Sequence, residues 1–229
     1  MNDTGEQSQL FREQLLVWGM HHGRSFPWRS TSDPYRLLIA EMMLRRTQAR
    51  QVVPVYEDFL RHYPTAQALA SATAKDVERL LRPLGLPWRI PAFQQMAQCI
   101  ITEYRGKVPR DRAALLSLSG VGEYVADAVL CFAYNEPVAL LDTNTVRVAG
   151  RYFGFPVHAE SRRRAPVKRA VACLVDPHKP RASNLALLDL AATVCRPKQP
   201  RCECCPVAAG CAWRQAELLR QEDRSSHAH

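Results

Sequence analysis

Five cysteines crowd into one short stretch near the C-terminus, CRPKQPRCECCPVAAGC, as Cys195, Cys202, Cys204, Cys205 and Cys211. Thiolates at such intervals can converge on one soft centre, either zinc or an iron–sulfur cluster. Read as Cys195-x6-Cys202-x2-Cys205-x5-Cys211 the run leaves Cys204 over, although geometry alone does not choose between the adjacent Cys204 and Cys205. Structural zinc sites favour close pairs with about two to four residues between ligands, and gaps of six, two and five fit that poorly. Cys99, Cys131 and Cys173 sit within apolar helical stretches and read as buried thiols. A disulfide scaffold is the weaker reading for 229 residues whose polar, acid-bearing start, MNDTGEQSQLFREQ, does not look like a secretory signal.

Two carboxylates also stand where chemistry could use them. Glu41, in LIAEMMLRRTQ, interrupts an apolar helical stretch, and a buried acid needs a partner or a purpose; a surface-facing glutamate is the plain alternative. Asp142, in LLDTNT, directly precedes a helical pattern, where aspartate is an ordinary N-cap. A third feature is LSGVGEYVADAV, residues 118–129, in which Gly120-Val121-Gly122 runs straight into an apolar helix pattern. A dinucleotide fingerprint needs a strand before it and a third glycine after it. Here that position is Val125 and the preceding RAALLSL is helical, so a dinucleotide site is excluded. What remains is helix, tight glycine turn, helix. Such a turn aims backbone N–H groups and the positive end of the second helix outward, which suits a phosphate. The alternative is a plain interhelical turn.

The elements that must position these residues are helical almost throughout. YRLLIAEMMLRRTQ places Tyr35, Leu38, Ile39, Met42 and Met43 at helical spacing. TAKDVERLLRPLGLP opens with Thr73 three residues ahead of Asp76, a capping-box pattern, and stops at Gly85 and Pro87. FQQMAQCIITEYRG carries an apolar stripe through Phe93, Met96, Ala97, Ile100, Ile101 and Tyr104. DRAALLSL, EYVADAVLCFAY, TNTVRVAGRYFG, APVKRAVACLV and NLALLDLAATVC read likewise, and no alternating stretch demands a sheet. Both ends, about ten residues each, are polar enough to fray. The basic run ESRRRAPVKR reads either as a solvated helix face or as a contact surface.

Composition is that of a folded soluble chain, 47% hydrophobic and 23% charged, and no apolar run approaches the length of a membrane span. The formal net charge of +9 points to a polyanionic partner. Charge alone leaves nucleic acid, acidic lipid and acidic protein open.

The glycine turn, LLDTNTVRV and the C-x6-C-x2-C-x5-C spacing together resemble the helix-hairpin-helix DNA glycosylases of the endonuclease III superfamily, from about residue 10 to residue 213. GRSFPWR, AEMMLRRTQ, GKVPRDRAALLSLSGVGEYVADAV and LLDTNTVRVAGRYFG are most similar to adenine-DNA glycosylases of the MutY type and to mismatch-specific thymine-DNA glycosylases. The resemblance implies an all-α fold of two helical lobes with DNA between them. One is a six-helix domain, residues 32–137; the other is a cluster domain, residues 1–31 plus 138–229. It implies a 4Fe–4S cluster on Cys195, Cys202, Cys205 and Cys211, which is a structural and DNA-binding device more than a catalyst. The implied chemistry flips a base out of double-stranded DNA and hydrolyses its N-glycosidic bond.

In that family Asp142 corresponds to the aspartate that stabilises the oxocarbenium-like sugar. Glu41 corresponds to the glutamate that protonates the leaving base in the adenine-specific relatives, and Asn144 to a position supporting the sugar or the attacking water. Relatives that also cut the strand hold a lysine where Tyr124 stands, and its amine forms a Schiff base with the sugar. Tyrosine cannot, so the expectation is a monofunctional enzyme that leaves an abasic site. Thymine-specific relatives resemble this chain in having tyrosine there, whereas adenine-specific ones usually carry serine. LRRTQ stands in place of Q-Q-T-Q, GLPWR in place of a G-Y-Y-type wedge, and the chain ends soon after Cys211. These departures favour thymine or uracil opposite guanine over adenine opposite guanine or 8-oxoguanine; Gln48 and GRSFPWR are adenine-like.

Gly120, Val121 and Gly122 are expected on the DNA backbone. Arg45 and Arg46 are expected on the opposite guanine or a phosphate, or else are ordinary surface arginines, and Gln48 is expected to bind DNA beside them. Leu86 or Trp88 is the candidate intercalating wedge. A monomer in the cytoplasm, associated with the nucleoid and with no membrane contact, is expected. A non-catalytic DNA-binding protein that senses redox state through a cluster is the alternative of another class.

Overall fold

The computed structural model describes residues 3–85 and 87–226. They form helices α1 (Asp3–His22), α2 (Pro34–Leu44), α3 (Ala49–His62), α4 (Ala66–Ala70), α5 (Ala74–Leu81), α6 (Ile90–Tyr104), α7 (Arg112–Ser117), α8 (Glu123–Tyr134), α9 (Thr143–Phe153), α10 (Ala165–Cys173), α11 (Pro180–Thr193) and α12 (Ala212–Ser226). Among the described residues there is no strand, and no helix is long and apolar enough to cross a membrane.

The chain divides into two compact units, Ser25–Glu136 and the interrupted unit Met1–Arg24 with Pro137–His229. The first boundary falls between residues 24 and 25 rather than between 31 and 32. The reason is Trp28: its buried ring packs edge-on against Tyr56 of α3, with ring centroids 5.4 Å apart, and so draws the Pro27–Arg29 turn into the continuous unit.

In the continuous unit α2 packs on α3 and α8, and α4 on α6. Asp33 starts α2 by accepting from the amides of Tyr35 at 2.8 Å and Arg36 at 3.1 Å, with Pro34 in the first turn. Leu37, Leu38, Ile39 and Met43 then enter a core completed by Phe59, Met96, Ile100 and Val129. At the start of α5 the Thr73 side chain accepts from the Asp76 amide at 3.2 Å, as its spacing predicts. The Asp76 carboxylate takes the Thr73 hydroxyl at 2.7 Å, a side-chain variant of the capping box.

The interrupted unit is built on α11, which lies along α1 and α9. Phe11 and Leu15 of α1 meet Val146, Ala149 and Tyr152 of α9 and Leu187 and Leu190 of α11, and the Phe11 and Tyr152 rings stand edge to face at 4.7 Å. The end of α1 is tied down by Asp189, whose buried carboxylate takes the Arg24 guanidinium at 2.5 Å and the Arg24 amide at 2.9 Å. The first ten residues, polar enough to fray by sequence, are helical from Asp3 onward. Gln7 explains this: its side chain donates to the Gly210 carbonyl at 3.0 Å, and its carbonyl accepts the Tyr152 hydroxyl at 2.9 Å. Of the three cysteines expected to be buried, Cys131 is, Cys99 is half-buried, and Cys173 at the end of α10 is exposed.

Candidate functional site

The glycine turn is a helical hairpin. Asp111 caps α7 by accepting the Ala114 amide at 2.8 Å, and the bidentate pair Arg112–Asp127, at 2.6 and 3.2 Å, clamps α7 to α8. That clamp raises the Arg112 guanidinium above its ordinary value, chiefly through the hydrogen bond to Asp127. Between the helices the Val121 amide donates to the Leu118 carbonyl at 3.1 Å, and both side chains are buried. Val121 is therefore spent on the turn, and an outward grip falls to Gly122 and the first turn of α8.

The two glycines differ in kind. Gly120 has φ +80°, and a Cβ there would meet Ala92 Cβ at 2.9 Å and Met42 Cε at 3.0 Å, so the fold itself requires glycine. Gly122 has φ −102° and open space where a Cβ would be. It is the N-cap of α8, where Ser, Thr, Asp or Asn would cap better. Nothing inside the protein asks for glycine at Gly122.

Beside the hairpin, α2 ends in a turn bearing Arg45, Arg46 and Gln48, all exposed. Arg46 adopts φ +59°, in the left-handed region. Arg45 Nη1 donates to the Gly120 carbonyl at 2.8 Å, so this arginine already ties the turn to the hairpin. Gln48 is the N-cap of α3, and its side chain makes no capping hydrogen bond. Glu41, one turn earlier on α2, is 5% exposed, so the surface-facing alternative is excluded. Trp88 is 60% exposed in the short Pro87–Arg89 turn that precedes α6, a large unburied aromatic. Leu86, the other wedge candidate, lies outside the described residues. Tyr124 is half-buried in the first turn of α8.

In the interrupted unit, Asn184 of α11 fixes the segment that delivers Asp142. Its amide side chain accepts the Leu140 amide at 3.0 Å and donates to the Val138 carbonyl at 2.9 Å. Asp142 then caps α9 in a capping box: Oδ1 accepts the amides of Asn144 at 2.8 Å and Thr145 at 2.7 Å, while the Thr145 hydroxyl accepts the Asp142 amide at 3.1 Å. The other oxygen, Oδ2, accepts Asn144 Nδ2 at 2.7 Å. Asn144 Oδ1 in turn accepts Arg147 Nη1 at 3.0 Å. Asp142 is thus half-buried, held at both oxygens and fixed in direction.

Cys195, Cys202, Cys205 and Cys211 line one small apolar pocket, walled by Val148, Tyr152, Leu190, Val194, Val207 and Trp213. Cys204 is exposed, with its thiol on the Arg201 carbonyl at 3.5 Å. Burial pushes the Cys205 thiol up to about 12, and negative charge on the other three would push it the same way. Cys202 and Cys211 are raised as well, mainly by burial. Two arginines of α9 brace the rim. Arg147 donates to the carbonyls of Cys195 at 3.0 Å and Ala191 at 2.9 Å, and burial lowers its guanidinium below the ordinary value. Arg151 donates to the Arg196 carbonyl at 2.7 Å and to Cys195 Sγ at 3.5 Å, and lies over the Trp213 ring at 5.0 Å.

Within the continuous unit the structure brings Arg45 onto the Gly120–Gly122 hairpin; within the interrupted unit it joins Asp142 to Asn144 and gathers the four cysteines. Sequence reasoning missed Arg89, Arg147, Arg151 and Asn184. Arg147 and Arg151 carried a signal, since 143–144, 147 and 151 recur on one face of α9. Arg89, in the short motif GLPWR, carried none.

The sequence profile of the HhH-GPD superfamily of base excision DNA repair proteins matches residues 39–171. The chain is 34% identical over 211 residues to the thymine/uracil-DNA glycosylase of Methanothermobacter thermautotrophicus, covering 92% of this chain and 96% of that protein. It is 39% identical over 208 residues to the adenine DNA glycosylase of Mycobacterium tuberculosis, covering 88% of this chain and 67% of that one. Among solved structures, a thermostable thymine-DNA glycosylase superposes with a TM-score of 0.87 at 33% identity, over 93% of this chain and 99% of the other.

Proposed function

Because the chain belongs to the HhH-GPD superfamily of base excision DNA repair proteins and is a DNA glycosylase, we propose that it removes thymine or uracil mispaired with guanine and leaves the strand whole. The observation that carries this reading is Tyr124. A phenol in the first turn of α8 has no amine with which to form a Schiff base, so water is the nucleophile and the product is an abasic site. The same tyrosine is a point on which the sequence resembles the thymine-specific enzymes.

In the reaction, Asp142 faces the positive charge that develops on the sugar as the base departs. Its two oxygens are already oriented by Asn144 and Thr145, so little reorganisation is needed when that charge appears. Glu41 serves the departing base, as a proton donor or hydrogen-bond partner. Gly122 admits a DNA phosphate to the amides at the mouth of α8, which accounts for glycine where nothing internal requires it. Trp88 fills the gap left in the stack. The protein acts as a monomer on double-stranded DNA, in the nucleoid.

The four-cysteine pocket fits a 4Fe–4S cluster. The four thiols line a common apolar pocket, and their gaps of six, two and five along the chain suit a cluster better than the close pairs of a structural zinc site. Cys195, Cys202, Cys205 and Cys211 would hold the group, which would tie residues 195–211 to one another and supply no step of base removal. Brown protein with about four irons per chain is expected, and colourless, zinc-loaded protein would refute the assignment.

Duplexes bearing T:G, U:G, A:G, A:8-oxoguanine and T:A, assayed with and without alkali, test the function. Excision at T:G and U:G, with strand breaks only after alkali, is expected. Excision of adenine alone would replace this reading with the adenine-specific one, which Gln48 and the mycobacterial relative favour.

A further inference from the structure

Arg89 is the one arginine of the continuous unit that is almost fully buried, at 6% exposure. Burying a guanidinium is costly unless its donors find acceptors, and here each acceptor belongs to one short turn. Nη1 donates to the Arg45 carbonyl and, at 3.4 Å, to that of Met42, while Nη2 donates to the Thr47 hydroxyl at 3.2 Å. The end of α2 thus receives a cation on its orphan carbonyls, where most helices use a glycine cap. Burial lowers the Arg89 guanidinium below its ordinary value, with a smaller contribution from the charge of Arg45.

The position of these bonds matters more than their number. Arg45 and Thr47 flank Arg46, whose φ of +59° is unfavourable for a side chain with a Cβ and persists only where the surroundings hold it. Arg89 grips the residue on each side of that strained position. The far side of the turn is fixed by Arg45, whose guanidinium bonds the Gly120 carbonyl of the hairpin. And Arg89 directly follows Trp88, the exposed aromatic. One buried side chain therefore links the loop carrying the candidate wedge to the turn carrying Arg45, Arg46 and Gln48.

We infer that Arg89 is a positioning residue that couples insertion of Trp88 into the base stack to the conformation of the Arg45–Gln48 turn, so that duplex opening and reading of the partner base occur as one event. The inference rests on the glycosylase reading and goes beyond it: it assigns mismatch discrimination to a side chain buried beneath the turn rather than to one on the surface. Removing the guanidinium frees the turn from its left-handed conformation and leaves Trp88 able to insert without setting the turn.

The test uses full-length protein carrying Arg89→Met, Arg89→Lys or Thr47→Val, with T:G and T:A duplexes that hold 2-aminopurine beside the pair. Three quantities are read: the single-turnover excision rate, the protein concentration at half-saturation, and the fluorescence rise on unstacking. For Arg89→Met the rate at T:G should fall about ten- to hundredfold, as a displacement of order 1 Å at a reacting site does. Half-saturation should change less than about threefold, which separates positioning from loss of binding. The fluorescence rise should be specific to T:G in the parent protein and should appear with T:A as well in Arg89→Met. Arg89→Lys should recover part of the rate, and Thr47→Val, which removes one acceptor, should lie between. Should Arg89→Met fail to fold, Arg89→Lys and Thr47→Val decide alone. Parental rates and parental fluorescence selectivity in both would overturn the inference, as would a loss confined to half-saturation. A parent protein that excises no base overturns the glycosylase reading instead, and the fluorescence selectivity still reports on Arg89.

Discussion

Asp142 caps α9 and, in the proposed reaction, also faces the sugar. Capping fixes Oδ1 on two amides of α9, and Asn144 fixes Oδ2, so the charge is set in place before substrate arrives. Asp142→Asn keeps a capping oxygen and should fold normally. It should lose base excision by about 10²–10³-fold or more while binding DNA within a few-fold, measured by single-turnover assay and fluorescence anisotropy. Unchanged excision would place the chain among non-catalytic DNA binders. In the proposed reaction Tyr124 decides the fate of the product. Tyr124→Lys introduces an amine at that position, and borohydride trapping of a covalent protein–DNA adduct, with strand breaks before alkali, is the expected gain.

At the scale of the element, the hairpin separates two glycines that look alike in GVG. Gly120→Ala must place a Cβ at φ +80° within 3.0 Å of Ala92 and Met42, and should cost about 2–4 kcal/mol, seen as a drop in melting temperature on the order of 5–10 °C. Gly122→Ala meets no neighbour and should melt with the parent, yet weaken binding to undamaged duplex. Equal melting of the two variants would remove the distinction. Helix α9 is the other element with a double role, since it begins at Asp142 and its next turns brace Cys195 through Arg147 and Arg151. Arg147→Met strands the carbonyls of Cys195 and Ala191 and frees Asn144. A loss of about 2–3 kcal/mol in thermal stability, with slower excision, is expected.

At the scale of the molecule, the net charge of +9 governs encounter with DNA rather than chemistry. Affinity for undamaged duplex should fall linearly on a log–log plot against salt, by about 0.9 in slope for each phosphate engaged. The single-turnover rate at saturating protein should barely move across the same range. A salt-independent affinity would direct the charge to some other partner.

Most helices were legible because periodicity, caps and glycine stops are local properties, as in α2, α5, α6 and α9. Helix α1 was not, since Leu10, Val17 and Met20 are exposed while Phe11 and Leu15 are buried, leaving no single apolar stripe to read. Helix α3 hid behind Pro54, a breaker by sequence, although Val52, Val55, Tyr56 and Phe59 all face the core. The sequence by itself determined the chemistry on offer, because residue type decides it: an aspartate before a helix, a tyrosine in place of an amine, and thiols enough for one soft centre. Only the tertiary structure decided which groups are held and by what. Cys205 lines the pocket while its neighbour Cys204 faces out, Gly120 serves the fold while Gly122 stays open, and Arg89 is buried beneath a turn more than forty positions away in the chain. Burial and hydrogen bonding between distant segments depend on which segments fold together, and local spacing does not encode that.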